Sequence, residues 1–123
     1  MILVDTSVWV DHFRDPEPQL LHHLEMKGIF MHSMVLGELA CGNLSNRETV
    51  LRDLHELPRI PESAHEPVLS LIESERLMGR GVGFIDFHLL CSALHQVDVS
   101  LWTRDARLHG VAEDLGVTLF EGD

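Results

Sequence analysis

Four acidic side chains stand where the surrounding pattern calls for apolar ones. Asp5 directly follows Ile2-Leu3-Val4, a β-rich apolar run whose carboxyl end is where open α/β sheets place their ligand sites. Glu38 shares a helical face with Val35 and Cys41, three positions away on either side. Asp86 is followed at three, four, seven and eight positions by Leu89, Leu90, Ala93 and Leu94, so it opens an apolar helix face. Asp105 comes just after Leu101-Trp102-Thr103 and just before a helical pattern, the same local context as Asp5. Each acid also has a plain structural role open to it. Asp5 and Asp105 could cap helices, Asp86 could favour a helix's first turn through the macrodipole, and Glu38 could carry a shifted pKa. Three element junctions and one core-facing helix position, all presenting acids toward one sheet edge, make a more specific signal than any one of them. Four carboxylates without matching lysines or arginines repel one another, which favours a hard divalent cation with oxygen ligands, Mg²⁺ or Mn²⁺. Such an ion activates water and stabilises the attacking and leaving oxygens of phosphoryl transfer.

The elements that must position these acids follow from the periodicity. Ile2-Leu3-Val4 enters a helix through Val8, Trp9, Val10 and Phe13, with Thr6 or Ser7 as its cap, and Asp15-Pro16-Glu17-Pro18 breaks it. A second helix is expected from Gln19 to Met26, closed by Gly28. Ile29-Phe30-Met31 is a second strand, and His32-Ser33 caps a helix that carries Glu38 and stops near Gly42. A turn at 43–46, a helix from Arg47 to Glu56 and a short extended stretch at 57–61 come next. From Glu66 an amphipathic helix should run through Leu77 and Met78 into Gly79-Arg80-Gly81-Val82-Gly83. No Gly-Lys-Ser/Thr follows that glycine-rich loop, so it is not a P-loop. Phe84 to His95 is the most apolar helix, Val99 to Trp102 a strand, Ala106 to Leu115 a helix and Val117 to Phe120 a last strand. Strands alternating with helices predict an α/β fold: a central parallel sheet of four to five short strands with helices on both faces.

Composition narrows the class. With 123 residues, 45% hydrophobic and 24% charged, the chain is expected to fold as a single domain over residues 1–123. No basic segment precedes the first apolar run and Asp5 interrupts it, so the expectation is a soluble, cytoplasmic protein without a membrane span. Cys41 and Cys91 lie far apart within apolar segments and are expected to be buried thiols, not a disulfide. The formal charge of −11 argues against a phosphate-gripping basic surface, so a nucleic-acid ligand would need cations or a partner.

With these residues in view the chain resembles the PIN-domain ribonucleases, and specifically the VapC toxins of type II toxin-antitoxin modules. The resemblance spans nearly the whole chain. It is carried by Leu3-Val4-Asp5-Thr6-Ser7-Val8-Trp9, Gly37-Glu38-Leu39, Gly83-Phe84-Ile85-Asp86 and Leu101-Trp102-Thr103-Arg104-Asp105, in that order. It implies a PIN fold and Mg²⁺- or Mn²⁺-dependent endonucleolysis of RNA by Asp5, Glu38, Asp86 and Asp105, acting as catalytic and metal-binding residues. It also implies a homodimer and inhibition by a VapB-type antitoxin, whose carboxyl-terminal segment enters the active-site groove with an arginine reaching the acids. Thr6, Ser7 and Thr103 would orient carboxylates or bound water, although capping explains the first two equally well. His88, two residues after Asp86, departs from the small residue expected there.

Other residues carry weaker signals. Arg14, Arg80, Arg104 and Arg107 neighbour the acidic motifs or the flexible loop and are the cations placed to meet an RNA backbone, with surface ion pairs the competing role. Nine histidines contain no His-Glu-x-x-His, so surface or packing roles outweigh a zinc site. Trp9 and Trp102 lie in apolar runs and should pack rather than stack bases. Asp11, Asp15, Asp98 and Asp114 are assigned to solvation. Two other function classes share some of these features. A metal-dependent phosphatase or receiver-like phosphoacceptor also gathers acids at a sheet edge, but no Asp-x-Asp follows the first strand and lysine is scarce. A catalytically silent PIN-fold binding module is opposed by the presence of all four acids.

Overall fold

The computed structural model describes residues 1–122. In chain order the elements are β1 (Ile2–Val4), α1 (Thr6–Arg14), α2 (Pro18–Glu25), β2 (Ile29–Phe30), α3 (Ser33–Ala40), α4 (Arg47–His55), α5 (His65–Ser74), α6 (Phe84–Leu94), β3 (Ser100–Trp102) and α7 (Ala106–Leu115). The sheet is parallel in the order β2-β1-β3, with Ile2 opposite both Ile29 and Ser100 and Val4 opposite Trp102. β1 is therefore central and its three residues are fully apolar and buried, as a strand covered on both faces requires.

The sheet has three strands where four to five were expected. The two missing edges survive as single parallel bridges, Met31 to Arg59 and Leu101 to Leu119. At the first, Pro58 and Pro61 flank the pairing residues, and prolines supply no N–H to extend a ladder. The Met31 N–H donates to the Pro58 carbonyl and the Ile60 N–H to the Met31 carbonyl, which is all the pairing this segment makes to β2.

Two helix predictions also need correction. α5 stops at Ser74 rather than running through Met78. Arg76 takes a left-handed φ of 54° and the Leu77 N–H donates to the Ile72 carbonyl, a Schellman closure that turns buried Leu77 back onto the core. At the start of α1 neither Thr6 nor Ser7 is the cap: Asp5 occupies that position, and its side chain makes no capping bond.

The core runs from Leu3 and Val4 through Val35 and Leu39 of α3 to Leu89 and Leu90 of α6 and Leu108 and Val111 of α7. α6 is buried continuously from Phe87 to Ala93, so it is packed nearly all round and only Leu94 of its predicted apolar face is exposed. α6 touches α3, α5, α7 and β3, and α1 packs on α3, so the helices that carry the acids are braced against the same sheet. Trp9 and Trp102 are both buried, the latter edge-on to Phe120 at 4.7 Å. Cys91 is buried as expected, but Cys41 is exposed, because it sits at the open carboxyl end of α3. Among the described residues no helix is long and apolar enough to cross a membrane.

Candidate active site

The parallel register brings the carboxyl ends of β1 and β3 side by side, and this places Asp5 next to Thr103 and Asp105. The Asp5 N–H donates to the Trp102 carbonyl at 2.9 Å, extending the pairing one residue past β1. Asp5 is 4% exposed, and both Ser7 Oγ and Thr103 Oγ1 donate to its Oδ2 at 2.7 Å. Its other oxygen has no protein partner among the described residues. A carboxylate that heads a helix without capping it, and is instead held by two hydroxyls, is directed to a different task.

The same arrangement recurs at the other acids. Thr6 Oγ1 donates to Glu38 Oε1 at 2.7 Å, tying the first turn of α1 to α3, and Oε2 has no partner among the described residues. Asp105 caps α7, with Oδ1 accepting from the N–H groups of Arg107 and Leu108 at 2.9 and 3.2 Å, so the capping role considered for it is present. Its Oδ2 accepts no hydrogen bond among the described residues. The Asp105 N–H in turn donates to Thr103 Oγ1, which links the two acids of the β1–β3 edge through one hydroxyl. Capping explains neither Thr6 nor Ser7. Each hydroxyl holds a carboxylate, and Ser7 Oγ also accepts the Arg104 N–H at 3.0 Å.

Asp86 lies in the first turn of α6, half-buried, and connects the set electrically. Its carboxyl pKa is pushed up to about 6, first by burial and then by the charges of Asp5, Glu38 and Asp105, against a Gly83 backbone N–H that lowers it. The four acids therefore share one field. Among the described residues none of them makes an ion pair with lysine, arginine or histidine. As the side chains stand, no three described His, Cys, Asp or Glu residues are arranged to ligate one ion.

The arginines divide. Arg104 is engaged by Asp11 at 2.8 Å and by Glu17, and Arg80 by Asp114, so these two have the surface ion-pair role, and Asp11 and Asp114 are paired rather than simply solvated. Arg107 lies across Gly81, where a Cβ would come within 2.7 Å of its guanidinium; the arginine could move aside, but the φ of 79° makes any side chain there strained and favours glycine. Arg14 makes no ion pair or hydrogen bond among the described residues and lines a cavity of about 550 Å³ that Glu38 also lines. Asp98 is away from the site, with its carbonyl accepting from the amino terminus.

His88 points away from the acids. Two positions along a helix is a rotation of roughly 200°, and the ring is buried against Phe84 and His65, with its Nε2 2.8 Å from His65 Nδ1. His32 joins this group edge-on to His88 and caps α3 through Nδ1, which accepts the Met34 N–H. Burial lowers the pKa of both His32 and His88, so both are neutral packing groups. The cavity beside Glu38 was not foreseen, since its walls come from segments far apart in sequence.

Comparison with known proteins places the fold and the family. The sequence profile described as "PIN domain" matches residues 2–114. Over 121 residues the chain is 41% identical to Ribonuclease VapC32 from two strains of Mycobacterium tuberculosis, covering 98% of each chain. The fold superposes on the crystal structure of FitAcB from Neisseria gonorrhoeae with a TM-score of 0.63 at 18% identity, covering 98% of this chain and 97% of the other. A family profile over most of the chain and close kinship over nearly all of it lead to one assignment: this protein belongs to the PIN-domain family and, within it, to the VapC type.

Proposed function

We propose that the chain is a single-domain endoribonuclease, the toxin component of a VapBC module, that hydrolyses RNA with Mg²⁺ or Mn²⁺ held by Asp5, Glu38, Asp86 and Asp105. The observation that carries this reading is the raised pKa of Asp86. Burial raises it first, three other carboxylates then push on it, and among the described residues no protein cation pairs with any of them, which is the electrostatic condition a divalent ion relieves. The chemistry of the donor set fits such an ion, because all four groups offer oxygen and three have one oxygen anchored while the other has no partner among the described residues, and side-chain rotation would bring the set onto one ion.

A bound ion would supply Lewis-acid stabilisation of the phosphoryl oxygens and a lowered pKa for attacking water. The rest falls to the chain. Thr6, Ser7 and Thr103 each hold one oxygen of Glu38 or Asp5, which limits the reorganisation those two carboxylates must undergo to take up an ion and the phosphodiester. Water attacks phosphorus as the P–O bond to the leaving ribose oxygen breaks; a site carboxylate accepts the proton that the water releases, and the departing ribose oxygen takes a proton from solvent. With a formal charge of −11 the chain depends on cations to bring RNA to this edge. Membership of the VapC type supports a VapB-type antitoxin as partner, and we extend the reading to an antitoxin arginine that reaches the acids and to a homodimer.

The test is cleavage of a panel of structured RNAs by the antitoxin-free protein with Mg²⁺, Mn²⁺ or EDTA, alongside Asp5→Asn and Asp86→Asn. Cutting that needs the metal and is lost in both folded variants supports the assignment. Cutting that survives both substitutions, or in EDTA, sinks it.

A further inference from the structure

The cavity beside Glu38 has features that the carboxylate chemistry does not use. Its walls come from α1, α3, α4 and the turn at 41–46, and its volume of about 550 Å³ is that of a pocket that encloses a small molecule. Phe13 lines it while 37% exposed, and its ring is supported from behind by stacking on buried Trp9 at 5.9 Å. Leu39 and Val50 add apolar surface. At the rim, the Asn43 amide and the Ser45 hydroxyl make no hydrogen bond among the described residues, and Arg14 makes no ion pair. The rim is held in shape, because Arg47 donates to the Ala40 and Gly42 carbonyls at 2.6 and 2.9 Å.

We propose that this cavity is a nucleobase subsite, which takes one unstacked base of a single-stranded RNA segment and so sets the scissile phosphate over the acids. This rests on the endoribonuclease reading. The chemistry matches on three counts. A base offers a flat apolar face to the Phe13 ring. Its edge carries donors and acceptors that an amide and a hydroxyl can satisfy. The phosphate it brings is an anion for an arginine left free on an acidic chain. Glu38 lines the same cavity, so a base seated there is one side chain away from the candidate site. An apolar peptide side chain would leave the amide, the hydroxyl and the guanidinium unanswered. The substrate class that follows is RNA with an unpaired nucleotide at the cut, not continuous duplex.

The test has a binding arm and a kinetic arm. In EDTA, the ¹⁵N-labelled protein is titrated with AMP, GMP, CMP and UMP and, separately, with an amphipathic Leu/Arg-rich helical peptide. Shifts at the Phe13, Asn43 and Ser45 amides with at least one nucleotide, weakened in Phe13→Leu and kept in Phe13→Trp, are expected. In Mn²⁺, Phe13→Leu should raise KM for a single-stranded RNA about 5- to 150-fold with kcat nearly unchanged. Shifts produced by the peptide alone would make the cavity a protein-docking groove and overturn the proposal. So would cleavage of RNA at unchanged KM by both Phe13 variants. Absence of metal-dependent RNA cleavage by the wild type, by contrast, overturns the nuclease reading itself, and the subsite with it.

Discussion

Replacing Asp86 by asparagine should stabilise the metal-free protein even though it removes a group placed in the active site. The carboxyl is pushed from 3.8 to about 6, net of the opposing Gly83 N–H. A shift of about two units corresponds to about 3 kcal/mol. The side chain is only partly buried, so solvent screening brings the usable figure to about 1–2 kcal/mol. The sign follows from linkage. The pKa is higher in the folded chain, so the destabilisation is absent below the unfolded value near 4, grows as pH rises, and is complete above about 6. Asparagine keeps the shape and never ionises. In EDTA at pH 7.5 calorimetry should therefore find Asp86→Asn melting roughly 3–10 °C higher than the wild type. At pH 4.5 only about a third of the gain should remain. Mg²⁺ should reverse the order, because a ligand at a hundred times its Kd stabilises the protein that binds it by about 2.7 kcal/mol. A variant no more stable than the wild type in EDTA at pH 7.5, or equally advantaged at pH 4.5, would refute the combined burial and repulsion that this reasoning places on the Asp86 carboxylate.

Thr6→Val removes the hydroxyl that holds Glu38 Oε1 and should lower metal-dependent RNA cleavage roughly 10- to 100-fold while the melting temperature changes little; unchanged cleavage would show that Glu38 needs no such anchor. Mn²⁺ affinity measured by isothermal titration should fall as pH drops through about 6, because Asp86 must give up its proton to bind, and a pH-independent affinity between 5 and 7.5 would remove Asp86 from the ligand set. Light scattering of the isolated protein should give the mass of two chains, and a single-chain mass at every concentration would remove the proposed homodimer.

Three of the four candidate acids were legible in sequence because each violates a local rule, whereas Asp105 sits where a helix cap is expected and caps α7. Asp5 ends a buried strand, Asp86 opens the most buried helix, and Glu38 interrupts an apolar stripe next to Val35, which is fully buried. Periodicity also located every helix, since helical hydrogen bonds are local and the i, i+3, i+4 spacing of apolar residues is written in the chain. Edge strands were less legible. The segments at 57–61 and 117–120 look extended, but how much ladder they form depends on a neighbour distant in sequence, and each makes a single bridge. The carboxyl end of α5 was misjudged because Leu77, although apolar and in phase, is buried by a left-handed turn at Arg76 rather than by continuing the helix.

By itself the sequence determined which residues are acidic, which segments can be helices, and that four carboxylates lack matching cations. Only the tertiary structure decided that Thr6 serves Glu38, 32 positions away, and that Thr103 serves Asp5 across 98. It also decided that Arg104 is paired while the Arg14 side chain has no ion pair among the described residues, and that Phe13 and Asn43 border one cavity with Glu38. The physical reason is range. Propensity and periodicity act within a few residues, whereas a hydrogen bond or a Coulomb interaction depends on distance in space, which the parallel register of β1 with β2 and β3 sets.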